Sequence, residues 1–328
     1  MTEKIPSFPE SLARATEQLA ADLSAPARKK AAADVTAAYR TDRDRLSLGR
    51  TEKLAYLLTR LPATWAVAAR CLSELQRKKP DFRPRSILDA GAGPGTTAWA
   101  VAACFGQPEA MTLLERDGEW ITVGQTLFHL GQFPDRHVLW RREDLTDRNV
   151  WPASDLVVAS YALNELPPAA LPDVIRRLWA ATQGALVLAE PGSRQGFETV
   201  RQAREILLAG GARILAPCPH AKACPMPADN WCHFPQDIRR SALHREAKAA
   251  ALDHGTEKFS YVIAVRPGLG IAETPASRVV SAPLHRSGHV RLDLCTPEGQ
   301  LKRETVSRRD KTLWSRVRKT DWGDEWPG

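Results

Sequence analysis

Residues 87–100, "ILDAGAGPGTTAWA", decide the fold. A short apolar run carries Asp89, Gly91, Gly93 and Gly95 follow at alternate positions, and an alanine-rich segment of helical character begins at Thr96. That succession predicts a strand, a tight turn and a helix start. Glycine lets a backbone turn sharply and lets a ligand approach without a Cβ in the way. The spacing is G-x-G-x-G followed by two threonines, so Thr96 stands where a dinucleotide-binding G-x-G-x-x-G loop carries its third glycine.

Three acids give the turn a ligand. Asp89 precedes the loop, where its carboxylate is positioned for a ligand ammonium group. Glu115 ends the next apolar run, "MTLLER", within the window for an acid that accepts hydrogen bonds from ribose hydroxyls. Asp144, in "RREDLTD", ends the third run at the same sheet edge and suits an adenine amino group. A ligand cationic at one end and a nucleoside at the other is S-adenosylmethionine. A purely structural glycine turn and a nicotinamide-binding Rossmann domain are the competing readings.

Outward from the turn, short apolar runs alternate with helical stretches, the signature of a parallel sheet with crossover helices. The expected strands are "SILDAGAG", "MTLLER", "HVLWRRED", "DLVVASYA", "GALVLAEPG", "ARILAP" and "KFSYVIAVR". The expected fold is α/β, a Rossmann-like class I S-adenosylmethionine methyltransferase with a seven-stranded sheet over residues 81–267. Residues 1–80 read as a helical region, and residues 268–328 as a β-hairpin extension turning at "TPEGQ" with a basic tail.

The fourth run ends in "ASYALNELPP", beside the place where a transferred methyl group would sit. Tyr161, Asn164 and Glu165 are the catalytic candidates there, Glu165 reading equally as a helix-start acid. Neither an Asn/Asp-Pro-Pro-aromatic clamp nor a Pro-Cys nucleophile is present in this segment. The sequence supports cofactor binding better than catalysis.

Residues 216–240 interrupt the pattern with a proline- and cysteine-rich insertion. Five residues separate Cys218 from Cys224, and seven separate Cys224 from Cys232. Prolines leave a loop able to wrap a centre, and Cys295 is the remaining candidate for a fourth thiolate. Four thiolates suit a [4Fe–4S] cluster or zinc, with His220 and His233 as adjacent alternatives. Such a centre would pin the hairpin to the sheet domain as a structural staple. Cys71 and Cys104 lie in apolar helical patterns and read as core residues.

The formal charge is +8. Bases gather at "PARKKAAADVTAAYRTDRDRLSLGR" and at the tail, where Arg308, Arg309 and Lys311 are interleaved with Trp314 and Trp322. Rings and bases together suit RNA, although either segment alone reads as a solvated face. No apolar run approaches the length of about 18 residues a membrane span needs. The first residues, "MTEKIPSFPESLARATEQLA", mix acids with bases and lack a signal-peptide core. The expected location is the cytoplasm of a bacterium.

Together "LDAGAGPGT", "SYALNEL", "LAEPGSRQGF", "PCPHAKACPM", "WCHFPQ", "SGHVRLDLC" and "VSRRDKTLWSRVRKTDWGDEW" resemble one family from about residue 50 onward. It is the small-ribosomal-subunit methyltransferase-like family, which includes mitochondrial methyltransferase-like protein seventeen and bacterial relatives. The resemblance implies a class I fold binding S-adenosylmethionine and a [4Fe–4S] cluster on Cys218, Cys224, Cys232 and Cys295. It further implies a factor for small-subunit assembly or translation that binds rRNA. Apart from the resemblance, no membrane partner is expected, and the expected state off the ribosome is a monomer. An active rRNA methyltransferase is the alternative. A small-molecule methyltransferase or dehydrogenase with a structural zinc is the third reading.

Overall fold

The computed structural model describes residues 5–41, 48–248, 251–269 and 276–327. Residues 42–47 of the N-terminal basic stretch lie outside these, as do residues 270–275 beside the expected boundary at 267.

Four helices come first: α1 (Glu10–Leu19), α2 (Ala25–Thr41), α3 (Arg50–Thr59) and α4 (Leu61–Lys78). Pro62 falls in the first turn of α4, where its missing N–H costs no intrahelical bond. Leu61, Trp65, Ala68, Leu72 and Leu75 are buried at helical spacing, so α4 lies with one face on the sheet.

The central part alternates β1 (Ser86–Ala90), α5 (Thr96–Phe105), β2 (Ala110–Glu115), α6 (Gly118–Leu130), β3 (Val138–Arg142), β4 (Ser154–Ser160), α7 (Leu171–Ala181), β5 (Thr182–Pro191) and α8 (Arg194–Ala209). It continues through β6 (Arg213–Ala216), β7 (Phe234–Arg239), α9 (Ala242–Lys248) and β8 (His254–Val265). The strand order is β3-β2-β1-β4-β5-β8-β6, parallel except for β8, with β7 also paired to β8. β1 lies between β2 and β4, so its C-terminal end is the topological switch point where such sheets bind ligands.

All seven expected strands are present, and the sheet has an eighth. β6 and β7 occupy successive parts of the edge of β8 opposite β5, and the cysteine-bearing segment loops out between them.

The expected C-terminal hairpin is β11 (His289–Cys295) with β12 (Leu301–Ser307). It does not stand alone. β9 (Ser277–Val279), β10 (Leu284–His285) and β13 (Glu325–Trp326) complete a five-stranded antiparallel sheet, with α10 (Lys311–Val317) after β12. Val279, Leu292, Leu294, Val306, Val317 and Trp326 form a separate small core.

One buried ion pair joins the three parts. Arg278 on β9 meets Glu74 on α4 at 2.7 Å, and the Tyr261 hydroxyl on β8 donates to the other Glu74 oxygen. Arg278 also donates to the carbonyls of Pro217 (3.0 Å) and Gly323 (2.7 Å). Burial pushes the Glu74 carboxyl up, but the Arg278 charge and the Tyr261 bond outweigh it and hold the group below its ordinary value.

Replacing Glu74 by leucine leaves Arg278 only the longer contact to the half-buried Glu325 (3.4 Å) as a counter-charge, and urea denaturation should read a loss of about 3 kcal/mol. Glu325 adds an acid-sensitive contact. Burial opposes its charge, but Lys78, Arg278 and Arg77 lower its carboxyl from 4.5 to about 2. Its stabilisation is therefore complete above pH 4.5 and disappears as pH falls through about 2. Glu325→Gln should flatten that part of the stability–pH curve, and an unchanged curve would contradict the assignment.

Candidate cofactor cleft and cysteine centre

Gly91, Gly93 and Gly95 have φ of +75°, +54° and +79°, the left-handed region that favours glycine. A Cβ on Gly91 would stand 2.4 Å from that of Ala162, and one on Gly95 2.8 Å from the Phe128 ring. At Gly93 a Cβ would meet nothing within 4 Å. The outer glycines are thus required by their neighbours, and the middle one faces open space.

That space is a cleft of about 130 Å³ at the C-terminal ends of β1, β2 and β4. Glu115, at the end of β2, accepts from the backbone N–H of Gly93 (2.8 Å) and of Asp117 (2.9 Å). Burial is the larger influence on it and raises its carboxyl, against those two bonds. Asp144 lines the cleft with one oxygen taken by the N–H and hydroxyl of Thr146, at 2.8 and 2.7 Å. Burial there is outweighed by those bonds and by Arg116, which lower its carboxyl. Thr96 lines the cleft from the first turn of α5.

Asp89 behaves differently from the expectation. It is 1 % exposed and lies behind the cleft wall rather than on it, with both carboxylate oxygens unpartnered. Burial, with the Glu115 charge beside it, pushes its carboxyl up to about 8. An orphaned carboxylate at the switch point is the polar feature a cationic ligand would relieve.

Of the three catalytic candidates, the structure brings two to the cleft. Tyr161 follows β4 at φ +59°, an uncommon conformation for a bulky residue. Its hydroxyl donates to Glu257 (3.1 Å), itself clamped by both nitrogens of Arg60 at 3.0 Å. Glu165 also lines the cleft; burial pushes its carboxyl up to about 7, although Arg116 at 3.6 Å pulls the other way. Asn164 is turned to the other side of its 3₁₀ turn, where it accepts from the Thr199 hydroxyl at 2.6 Å.

Sequence reading missed the rest of the wall. Arg116 spans the opening between Asp144 (3.9 Å) and Glu165. Tyr56 and Thr64 enter from α3 and α4. Lys53, 2 % exposed, ties α3 to the cleft rim through Asp117 (2.6 Å) and Glu119 (2.8 Å). No local pattern announces these residues, because their place depends on how the N-terminal helices dock.

Cys218, Cys224, Cys232 and Cys295 line one cavity of about 40 Å³ between the two sheets, all as free thiols. Cys295 ends β11, and Cys232 precedes β7 with its carbonyl accepting from Ser260 at 2.8 Å. As the side chains stand, no three Cys, His, Asp or Glu among the described residues converge on a single ion position. Burial and the neighbouring thiols push Cys232 well above its ordinary value and Cys295 up to about 12. His220 lines the same cavity with Nε2 3.4 Å from the Cys295 sulfur, whereas His233 stacks on Trp231 instead.

Two buried arginines on this cavity were not anticipated. Arg278 has its acids. Arg204, 3 % exposed, donates to the carbonyls of His220 (2.7 Å) and Lys222 (2.9 Å) and has no carboxylate partner among the described residues. A buried guanidinium beside four thiols fits a donor set that carries negative charge when a metal is bound.

In the tail, Arg308, Arg309 and Lys311 are exposed without a carboxylate partner among the described residues, and Arg308 lies 5.9 Å over the half-buried Trp314 ring.

The sheet order, with one antiparallel strand between β5 and β6 and a glycine turn at the end of β1, defines a class I methyltransferase fold carrying a second, antiparallel sheet. Residues 50–327 match the family described as mitochondrial small ribosomal subunit Rsm22, and the chain belongs to that family. The human mitochondrial ribosome assembly protein METTL17 is 28% identical across 98% of this chain and 75% of its own length. The Saccharomyces cerevisiae mitochondrial ribosome assembly protein RSM22 is 23% identical across 78% of this chain and 64% of its own. A Schizosaccharomyces pombe Rsm22-cox11 tandem protein, also mitochondrial, is 27% identical across 84% and 43%. Among solved structures, magnesium protoporphyrin IX methyltransferase from Synechocystis has a TM-score of 0.43 at 13% identity, covering 73% of this chain and 95% of that one.

These relatives correct the expected location. They are mitochondrial proteins, against the bacterial cytoplasm expected from composition. A basic chain with reduced thiols and no apolar run of spanning length suits either compartment, so composition could not decide.

Gly91→Ala should cost about 2 kcal/mol or more in chemical denaturation, since it combines a positive φ with a steric clash. Stability equal to the parent protein would contradict the geometry of the turn.

Proposed function

We propose that this protein is a small-ribosomal-subunit assembly factor that binds rRNA, holds S-adenosylmethionine in the cleft and carries an iron–sulfur centre on its four clustered cysteines. The observation that carries the reading is the family match, which runs through the cleft, the cysteine loop and the C-terminal sheet alike. A mitochondrial setting follows from the same relatives.

Glu115 and Asp144 would accept from ribose hydroxyls and the adenine amino group, each having lone pairs beyond those its backbone partners use. The glycine turn gives a nucleoside room for close approach, and a cationic ligand above the buried Asp89 would favour ionisation of its carboxyl, which burial holds up at about 8. Bound S-adenosylmethionine would supply an electrophilic methyl group. The wall around it favours holding over transfer. Tyr161, which lines the cleft just past the end of β4, is engaged by Glu257 and Arg60, and burial with the Glu257 charge raises its hydroxyl well above the usual range. The alternative of an active rRNA methyltransferase draws on Glu165, whose carboxyl near 7 is suited to taking a proton at neutral pH.

Cys218, Cys224, Cys232 and Cys295 would hold the metal centre, with Arg204 and Arg278 offsetting its negative charge. The exposed bases of the tail would meet rRNA phosphates.

Calorimetric titration with S-adenosylmethionine should give saturable binding, weakened about tenfold or more by Glu115→Ala. Arg308, Arg309 and Lys311 changed together to alanine should reduce co-sedimentation with small ribosomal subunits and flatten its salt dependence. Absent cofactor binding would remove the ligand from the reading; unchanged co-sedimentation would remove the tail as an RNA contact. Methyl label transferred to rRNA, and lost in Glu165→Gln, would favour the enzyme.

A further inference from the structure

Beside the cysteine centre a row of rings is bracketed by cations. Trp231 and His233, two residues apart in extended chain, stack with centroids 5.6 Å apart and planes 26° from parallel. Trp322, from the C-terminal segment, meets the His233 ring edge-on, with centroids 4.7 Å apart and planes at 64°. The Arg194 guanidinium lies 5.6 Å from the Trp231 ring at one end, and the Lys258 ammonium 5.8 Å from the Trp322 ring at the other. The rings are half-buried and both cations are exposed.

Packing alone does not account for this row. Arg194 is held by the carbonyls of Ala228 (2.6 Å) and Asp229 (3.0 Å), which fix its direction without neutralising it. Lys258, over the Trp322 ring, has no carboxylate partner among the described residues. His233 Nε2 and Trp322 Nε1 find no hydrogen-bond partner in the protein. The Trp231 indole is anchored by its N–H on the Gly192 carbonyl (3.0 Å), just past the end of β5, so the row stands at the sheet edge onto which the cleft opens. Exposed Arg316, Arg318 and Lys319 lead along the chain into Trp322, joining the row to the basic tail.

We infer that Trp231, His233 and Trp322, flanked by Arg194 and Lys258, form a stacking platform for unpaired bases of single-stranded RNA. This rests on the rRNA-binding reading and gives it a place on the fold. Each base has a π-face that stacks on an aromatic ring whatever its identity, while a cation at either end meets the flanking phosphates. The row therefore selects single strands over duplex, whose bases are already stacked. A protein partner is the competing occupant. Uncompensated cations at both ends, on a chain of formal charge +8, favour the polyanion.

The test uses the full chain, with its metal centre intact, and a fluorescein-labelled unstructured pyrimidine RNA whose binding is followed by anisotropy over a salt series. Trp231→Leu and Trp322→Leu should each weaken Kd about tenfold or more at an unchanged salt slope, because stacking releases no counterions. Trp322→Phe should retain most of the affinity. The tail variant should instead lower the slope, by about 0.7 for each phosphate no longer neutralised. If the leucine variants unfold, Arg194→Gln combined with Lys258→Gln decides at the surface, and should weaken binding while leaving the fold intact. Parent-like affinity in every platform variant, with binding abolished in the tail variant, would overturn the platform and leave RNA binding standing. No RNA binding by the parent protein would overturn both. Platform variants that bind RNA normally but no longer bind a small-subunit protein would assign the row to a protein interface and overturn the inference.

Discussion

The buried pair of Glu74 and Arg278 is the constraint on which the arrangement of this molecule turns. Two opposite charges in the interior are tolerated only while each keeps its partner and its remaining hydrogen bonds. Here the guanidinium is fully used: the Glu74 carboxylate on α4, a longer contact to Glu325 on β13, a carbonyl at the start of the cysteine loop, and a carbonyl in the C-terminal segment. The carboxylate is used likewise, by Arg278 and by the Tyr261 hydroxyl from the central sheet. Helical region, central sheet, cysteine loop and second sheet therefore share one electrostatic node. The four cysteines line one cavity beside that node: Arg278 holds the Pro217 carbonyl next to Cys218, and pairs in the sheet with Cys295 on β11.

A second set of charges couples the N-terminal helices to the cleft. Lys53 reaches the cap of α6 through Asp117 and Glu119, and Arg60 fixes Glu257 beneath the Tyr161 hydroxyl. The helices are thus part of the cleft wall. Tyr161 keeps its positive φ while its N–H bonds Ala189 and its ring lies beside Arg60, a conformation the surroundings over-determine.

Much of the central fold was legible. Seven apolar runs, a glycine turn and strand-end acids are local signals, and Glu115 and Asp144 stand where the strand ends put them. What was illegible has a common cause. β7 reads "FPQDIR", with a proline and two charged residues, and is a strand only because twelve-residue β8 leaves part of its edge open. β9 and β13, of three and two residues, are too short to show a period. Nothing in the sequence says which side of a short turn Asn164 faces, or that Arg204 and Arg278 are buried among so many exposed arginines. Cys295 was the opposite case: far from the loop along the chain, it was expected beside it because a fourth thiolate would complete the set, and it lines the same cavity as Cys218, Cys224 and Cys232.

The proposed metal centre on Cys218, Cys224, Cys232 and Cys295 lies between the two sheets and bears on every part of the fold. Its most direct test is the iron and acid-labile sulfide content of anaerobically purified protein, with the visible spectrum, for the parent and for Cys295→Ser. Iron and sulfide are expected in equal amounts, with a broad visible absorbance that is absent or sharply reduced in Cys295→Ser. Protein free of iron and sulfide, or a centre indifferent to the removal of Cys295, would contradict it.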